Sequence, residues 1–389
     1  MSKPKALSLV RRCLFLISAP VVFINFALPL RAEDLGATAF QIGILYALFT
    51  ASVFVIRPIV GFGLDHIGRR PIFIAATLFY LGANLLYTLS ETVTALYIAR
   101  LCQGLGFAFL AITTETITSD LTEPDGRGAA MGGNIASQTR GGMVGGFIGF
   151  GLVGALPLQA WFFSFAVFSV TAVLAVVFAF AFIPETKTSA WERATKQSFE
   201  PPKGFARVLA IIFLAAFAGA TIQPFYLIYL RERFGLELYQ LAVAFLPIGI
   251  VAAILPVWLG RITNRLSRTT AMAIGLGALA LVYVAIPNIT GLYWVIGAFV
   301  ASSIGGVLAE LTKSAWIGDL SGKGAEGRTF GVAALASGAG AALGPLAGGA
   351  IYDGFGREYL FYFAVMSLAP ALLLAVSFGA GQRRKSLTL

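Results

Sequence analysis

GFGLDHIGRRP, residues 61–71, gathers glycines, an aspartate, two arginines and the chain's only histidine inside otherwise apolar surroundings. Such a stretch suits a ligand site, a catalytic loop or a turn between helices that move. A second stretch decides between them. GRITNRLSR, residues 260–268, repeats the pattern 199 positions later, with Gly61, Asp65 and Arg69 falling on Gly260, Asn264 and Arg268.

The same offset holds far from this motif. Gly36 and Gln41 fall on Gly235 and Gln240, Asp120 falls on Asp319, and Gly132, Gly141, Gly145 and Gly149 fall on Gly331, Gly340, Gly344 and Gly348. One unbroken offset predicts two structural repeats. The halves are residues 1–183 and 205–389, joined by the polar segment 184–204, whose Pro, Lys, Glu and Ser content suits a cytoplasmic linker. Each half holds an even number of spans, so both repeats share one orientation.

The chain has 389 residues, 58% hydrophobic and 12% charged, an apolar content above the roughly 45–50% of soluble domains. Apolar runs at 10–31, 38–60, 71–90, 94–119, 129–156, 161–183, 205–230, 239–259, 269–288, 292–318, 329–352 and 358–379 each reach the length of about 20 residues that crosses a hydrocarbon core as a helix. They are long and uniformly apolar, whereas barrel strands are short and alternating. The fold class is therefore an all-α membrane protein of twelve transmembrane helices in two six-helix halves.

A net charge of +10 raises the question of a nucleic-acid partner, and the placement of the charge answers it. Lys3, Lys5, Arg11, Arg12, Arg69, Arg70, Arg127, Lys187, Arg193, Lys196, Lys203, Arg207, Arg261, Arg265, Arg268, Lys323, Arg328, Arg383, Arg384 and Lys385 fall on one side of the spans. Only Arg31, Arg231, Arg233 and Arg357 fall on the other. The basic balance is thus a topology signal that places the opening motif and both termini in the cytoplasm, and no nucleic-acid partner is expected. The partners are the lipid bilayer of the plasma membrane, small-molecule cargo and protons, with the chain acting as a monomer. Cys13 and Cys102 lie in spans, without disulfide or metal-ligand spacing, and no cofactor is expected. The N-terminus imitates a signal peptide, with "LRA" before Glu33, but its apolar run is long and further spans follow, so it reads as an uncleaved first helix.

Paired helical halves bind cargo near the midplane and alternate access by rocking one half against the other. The residues also carry a resemblance. GFGLDHIGRRP resembles the cytoplasmic signature between the second and third spans of the major facilitator superfamily, and GRITNRLSR resembles its degenerate copy between the eighth and ninth. RLCQG, residues 100–104, is similar to the family's fourth-span motif, and GAALGPLAGG, residues 340–349, to its glycine-proline motif. The resemblance covers the whole chain and implies a twelve-helix secondary transporter of the drug/proton antiporter branch. Three departures stand out. His66 occupies a position where the family uses Arg, and Asn264 replaces Asp in the second copy. The full glycine-proline motif sits in the eleventh span, while the fifth has Gly146 at the proline position.

Read this way, the opening stretch is a latch made of Gly61, Asp65, Gly68, Arg69 and Arg70 with Asp120, echoed by Asn264, Arg268 and Asp319. Gly61 and Gly68 allow close helix approach and a tight turn. Asp65 faces the start of the eleventh helix near Arg328 and Thr329, an interaction of ~0.3–1 kcal/mol when exposed and up to ~2 when partly buried. Arg69 pairs with Asp120. An interaction made in only one state shifts the population by its own magnitude, about tenfold for ~1.4 kcal/mol. A plain basic turn is the alternative. A nucleotide loop is a weak reading, since the glycine spacing fits neither a Walker loop nor GxGxxG and no strand precedes it. His66 either makes the latch pH-sensitive or is a tolerated substitution.

Ionisable residues inside spans are costly and mark function by default. Glu115, among threonines in TTETITSD (residues 113–120), lies about one and a half turns above Asp120, and is read as a proton carrier or as half of a structural ion pair with Arg140. Glu310 and Lys313, three residues apart, neutralise each other or open as a second proton site and its gate. Arg100 and Arg140 complete the proton-coupling set, Arg100 through its resemblance to the fourth-span motif. Arg57 lies close enough to a span end to snorkel and is left out of the cargo site. Asn25, Asn134, Gln138 and Gln223 are candidate cargo contacts, or amides that bridge helices, and Gly340, Gly344, Pro345, Gly348 and Gly349 form a helix-packing motif. Some of Phe26, Phe107, Phe147, Phe225 and Phe245 line an oily pocket.

The expected function is proton-coupled export of amphipathic or drug-like compounds. Proton-coupled uptake of a sugar, organic acid or peptide by symport is the alternative, and a transport-inactive membrane receptor or assembly partner with the same fold is the alternative of another class. With no nucleophile-base set and no metal cluster, an enzyme is not expected.

Overall fold

The computed structural model describes residues 3–123, 126–156, 158–187, 204–245, 266–320 and 326–387, together with isolated positions between 247 and 259. Its helices in chain order are α1 (Lys3–Ile17), α2 (Pro20–Asp34), α3 (Ala39–His66), α4 (Arg69–Thr88), α5 (Val93–Leu121), α6 (Arg127–Ala155), α7 (Ala160–Phe182), α8 (Phe205–Ile222), α9 (Tyr226–Phe234), α10 (Arg268–Ala285), α11 (Leu292–Leu320), α12 (Glu326–Phe355) and α13 (Tyr359–Leu387). No strand occurs among the described residues. The fold is all-α, as the long apolar runs require.

Among the described residues, ten helical segments are long and apolar enough to cross a membrane. Two of the twelve expected spans are not among them, for different reasons. The fifth exists as α6, 29 residues long, but Asn134, Gln138, Thr139, Arg140 and its many glycines lower its hydropathy. Of the eighth, residues 238–245 are helical, while most of 246–259 lies outside the described residues.

The first and seventh spans are each broken, which the apolar runs alone conceal. The first span is interrupted at Ser18 and Ala19 just before Pro20, and the seventh at Gln223, Pro224 and Phe225. Proline has no N–H to donate and crowds the preceding turn, so each break falls at a proline.

The chain divides into two compact units, Met1–Ala37 with Leu48–Ala194 and Thr38–Ala47 with Thr195–Leu389. The division assigns the first turns of α3 to the second unit. In the first unit, α1, α4, α5 and α7 share a core of Val10, Leu14, Phe73, Tyr80, Ile117 and Ala175. Phe23, Phe26, Phe150 and Phe165 cluster around the α2–α6 contact, with ring centroids 5.1–6.2 Å apart. In lipid, helices gain little from hiding apolar area and associate through close van der Waals packing, which favours small residues. A Cβ on Gly141 or Gly145 would strike the Phe15 and Ala19 carbonyls, and one on Gly149 the Phe23 ring. In the second unit, Gly340, Gly344 and Gly348 of α12 press in the same way on the Phe213, Phe217 and Thr221 carbonyls of α8.

Other repeated residues turn out to begin and end helices. Gly36 and Gly235 sit at φ 81° and 64°, the left-handed region that closes a helix C-terminus. Gln41 and Gln240 accept the Thr38 and Glu237 amides at 3.0 and 2.9 Å, as capping glutamines do. The echo also appears where the residues differ. Arg31 donates to the Ser90 carbonyl at 3.0 Å, and Arg233 donates to the carbonyl of Ile289, the repeat equivalent of Ser90, at 2.6 Å.

Candidate functional site

The turn of the opening motif is built around Gly68, the residue before α4, whose φ of 113° a side chain would strain. Arg69 Nε donates to Asp120 at 3.0 Å, and its Nη1 donates to the Leu64 carbonyl at 3.0 Å, so the expected pair joins α4 to α5 and also closes the turn. Arg70 donates through Nη2 to the Phe180 carbonyl of α7 at 2.6 Å. Gly61 has no close neighbour for a Cβ among the described residues, so tight geometry resides at Gly68 and not at Gly61. The side chains of Asp65 and Arg328, and all of Asn264, lie outside the described part of the structure.

His66 Nδ1 lies 2.8 Å from the Phe62 carbonyl, and its ring stacks on the Phe62 ring at 3.9 Å. The histidine thus packs on its own helix. In the second unit the equivalent ion pair is present, with Arg268 Nε 2.7 Å from Asp319, and Ser267 caps α10.

The turn of the first unit has a further contact that the linker reading missed. Glu185, three residues beyond α7, accepts the Arg69 and Arg70 amides at 3.0 and 3.1 Å and so caps the N-terminus of α4. Thr186 adds a hydroxyl bond to Asp120 at 2.8 Å, and Lys187 Nζ donates to the His66 carbonyl at 3.0 Å. The available signal was an acidic residue in PETK directly after an apolar span. Partial burial alone would raise the Glu185 carboxyl, but the amides of Arg69, Lys187, Arg70 and Thr186 outweigh it and hold the group below its ordinary 4.5. A depressed carboxylate stabilises the fold above its unfolded value, and that stability is lost as pH falls through the folded value. Glu185→Gln is therefore expected to lower the thermal midpoint near neutral pH, with the gap to wild type closing below pH ~4. Melting in detergent across this range checks it, and a gap independent of pH would remove the charged cap.

The opposite end of α3 is held by a second carboxylate that the sequence reading did not single out. Asp353 of α12 accepts the Ala39 and Phe40 amides at 2.9 and 2.8 Å, within the second unit. The approach is close enough that a Cβ on Gly349 would strike the Ala39 carbonyl and Phe40, and one on Gly43 the Pro345 carbonyl. Gly43, Gly349 and the Pro345 carbonyl thus serve one crossing.

The embedded charges fall into two groups. Arg100 is 4% exposed; it donates to Gln103 at 2.7 Å and stands 4.5 Å from the Phe49 ring centroid. Tyr87 also donates to Gln103, at 3.0 Å, so Arg100 is tied into a packed polar chain. Glu115 is exposed on α5, and the cation whose field reaches it is Arg57 of α3. Arg140 is exposed on α6. Arg57, set aside in the sequence reading, is thus the electrostatic neighbour of Glu115. Thr113 and Thr114 are buried, their hydroxyls without partners among the described residues, so they pack more than they line a path. In the second unit, Lys313 Nζ and Glu310 meet at 2.5 Å.

The four amides separate. Asn134 is buried, accepting from Arg11 at 3.3 Å and donating to Thr118 at 2.7 Å, which braces α1, α5 and α6. Asn25 and Gln223 are exposed and Gln138 half-buried. Gln223 sits at the break between α8 and α9, where a polar side chain meets interrupted backbone. Of the aromatics, Phe26 and Phe225 are core residues, while Phe107 and Phe147 are exposed.

An all-helical chain with many membrane-crossing segments, repeated ion pairs at helix ends and carboxylates within its spans has the build of a multi-pass membrane transporter. The sequence matches the family model of the Major Facilitator Superfamily over residues 13–312 and again over 256–387, and the chain belongs to that family. It is a transporter of small molecules and not an enzyme. It is 24% identical to Multidrug resistance protein 1 of Bacillus subtilis over 379 residues, 92% of each chain. To the class C tetracycline resistance protein of Escherichia coli it is 27% identical over 62% of each chain. Among solved structures, a nucleoside transporter shares the fold with a TM-score of 0.76 at 12% identity, covering 96% of this chain and 99% of that one.

Proposed function

We propose that the protein is a proton-coupled exporter of amphipathic, drug-like small molecules working by alternating access. Residues 1–183 and 205–389 would act as the rocking halves and 184–204 as their cytoplasmic tether, in a monomer of the plasma membrane with both termini inside. The observation that carries the coupling is an exposed carboxylate within a span of each unit, Glu115 and Glu310, each with a cation beside it: Arg57 for the first and Lys313 for the second. A carboxylate in such a place can exchange its proton as access alternates. The cargo class and direction rest on the likeness to Multidrug resistance protein 1 along nearly the whole of both chains.

The mechanism assigns each group a task. Cargo and proton would compete for, or be coupled through, Glu115 and Glu310. The ion pairs Arg69–Asp120 and Arg268–Asp319, with the Glu185 cap, would hold the cytoplasmic ends of their helices while access is on the other side. Asp353 would hold the start of α3 at the outer end. Ion pairs near the surface contribute about 0–1 kcal/mol each, suited to a step that must reverse.

The test uses purified protein in liposomes of both orientations, with cationic, neutral and anionic compounds and an imposed pH gradient. Export predicts cargo movement opposite to the proton flow. Movement with the protons would establish symport, and no movement of any compound would favour a transport-inactive receptor.

A further inference from the structure

The second unit contains a cavity of about 320 Å³ between α8, α10 and α11, within the ~300–1,000 Å³ of small-molecule sites. It exists because its walls carry small residues at the crossing, including Gly219 and Gly306, where an added Cβ would meet nothing within 4 Å. The wider walls are apolar, formed by Ile212, Met272, Leu276 and Leu279.

Polar groups also line this oily space: Ser302 and Ser303, whose hydroxyls donate to the Phe299 and Val300 carbonyls at 2.7 and 2.6 Å, a tyrosine and an ion pair. Tyr283 is 6% exposed and lines the cavity. At the rim stands the Glu310–Lys313 pair, whose members differ in surroundings: the lysine side chain is 19% exposed and the glutamate 65%. That asymmetry decides which charge a ligand brings. A ligand anion can take the place of Glu310 at Lys313, because the displaced carboxylate is already largely outside. A ligand cation would have to displace the more buried ammonium, which would be left desolvated and unpaired at greater cost.

We propose that this cavity is a binding site for an amphipathic organic monoanion. Its apolar body lies among Ile212, Met272, Leu276 and Leu279, with Tyr283 in the same lining, and its acid group on Lys313. The site deepens the transport reading by fixing one cargo charge, and it rests on that reading only for the claim that the bound anion is cargo. Binding frees Glu310, so the carboxylate that the lysine had held is released as the anion enters.

A matched pair of probes tests the charge. Radiolabelled 4-phenylbutyrate and 4-phenylbutylammonium share a skeleton and differ in sign, and equilibrium binding is measured on the full chain in phosphatidylcholine nanodiscs without a pH gradient. Wild type is expected to favour the anion by about tenfold or more. Lys313→Met should lose that preference, Lys313→Arg should keep it, and Glu310→Gln should bind the anion more tightly by removing its competitor. Gly306→Leu, whose Cβ meets nothing within 4 Å and whose side chain adds bulk at the cavity wall, should abolish binding while leaving the melting temperature near wild type.

Preference for the cation, or anion binding indifferent to both Lys313→Met and Gly306→Leu, would overturn the site. Loss of phenylbutyrate binding when phosphatidylglycerol is added assigns the cavity to a lipid anion and overturns its role in cargo binding; unchanged binding supports a soluble ligand. The proposals fail separately. Phenylbutyrate binding that follows the variants, with no pH-driven flux of any compound, overturns the export reading alone.

Discussion

Gly145→Val and Gly344→Val are each expected to destabilise the protein by about 3 kcal/mol or more, enough to prevent recovery of much of the folded chain. A Cβ at Gly145 would fall on the Ala19 carbonyl, and one at Gly344 on the Phe217 carbonyl. The obstacle in both cases is main chain, which cannot rotate aside as a side chain can. Relief requires α6 to separate from α1 and α2, or α12 from α8, and separation removes the close contact that holds helices together in lipid. The repeat supplies controls. Gly132 and Gly331 are also 199 residues apart and lie on α6 and α12, but an added Cβ at either meets nothing within 4 Å. Gly132→Ala and Gly331→Ala should therefore be neutral or raise stability by up to ~1 kcal/mol through helix propensity. Thermal melts and monodisperse yield in detergent separate the two sets. Equal midpoints for Gly145→Val and Gly132→Ala would show that the close approach carries no energy.

These glycines also show what kind of information the sequence held. Their offset was visible, and so was the four-residue spacing that places them on one helix face. Their partners were not, because the striking atoms are carbonyls of Phe15, Ala19, Phe213 and Phe217, and any residue can supply a carbonyl. For the same reason the helix-end glycines Gly36 and Gly235 were legible as repeats before they were legible as left-handed stops. Periodicity and hydropathy report long helices well but average over a local break, so the interruptions at Pro20 and Pro224 disappeared inside apolar runs.

The polar groups follow a related pattern. Arg69 and Asp120 were paired from the sequence because both are charged and both belong to the repeat, and they meet at 3.0 Å. Glu185 and Asp353 were missed because each binds backbone amides, of Arg69 and Arg70 in one case and of Ala39 and Phe40 in the other. A carboxylate whose partner is a helix terminus leaves no complementary charge to search for. What it does leave is position: each acid lies near the end of a long helix, opposite the start of another. Asn134 illustrates the converse. Its amide read either as a cargo contact or as a bridge between helices, and only the positions of Arg11 and Thr118 show it bonded between helices.

Glu115→Gln is expected to reduce cargo flux driven by a pH gradient by about tenfold or more, while cargo exchange without a gradient continues. The amide keeps nearly the shape of the acid and loses only the ability to take up and release a proton. Glu115 is exposed on α5 within the field of Arg57, whereas Arg100 is buried against Gln103 and Phe49 and has no comparable freedom. The neighbour supplies a second variant. The Arg57 charge acts on the acid beside it, so Arg57→Gln should leave the carrier in place but move the pH profile of flux. A structural role for the pair would lower abundance or melting temperature in both variants without moving the pH profile. Wild-type pH-driven flux in Glu115→Gln, at equal amounts in the membrane, would remove Glu115 as the carrier. The same assay on Glu310→Gln then decides whether the second unit carries the proton, since its carboxylate is bound to Lys313 and becomes available only when that pair opens.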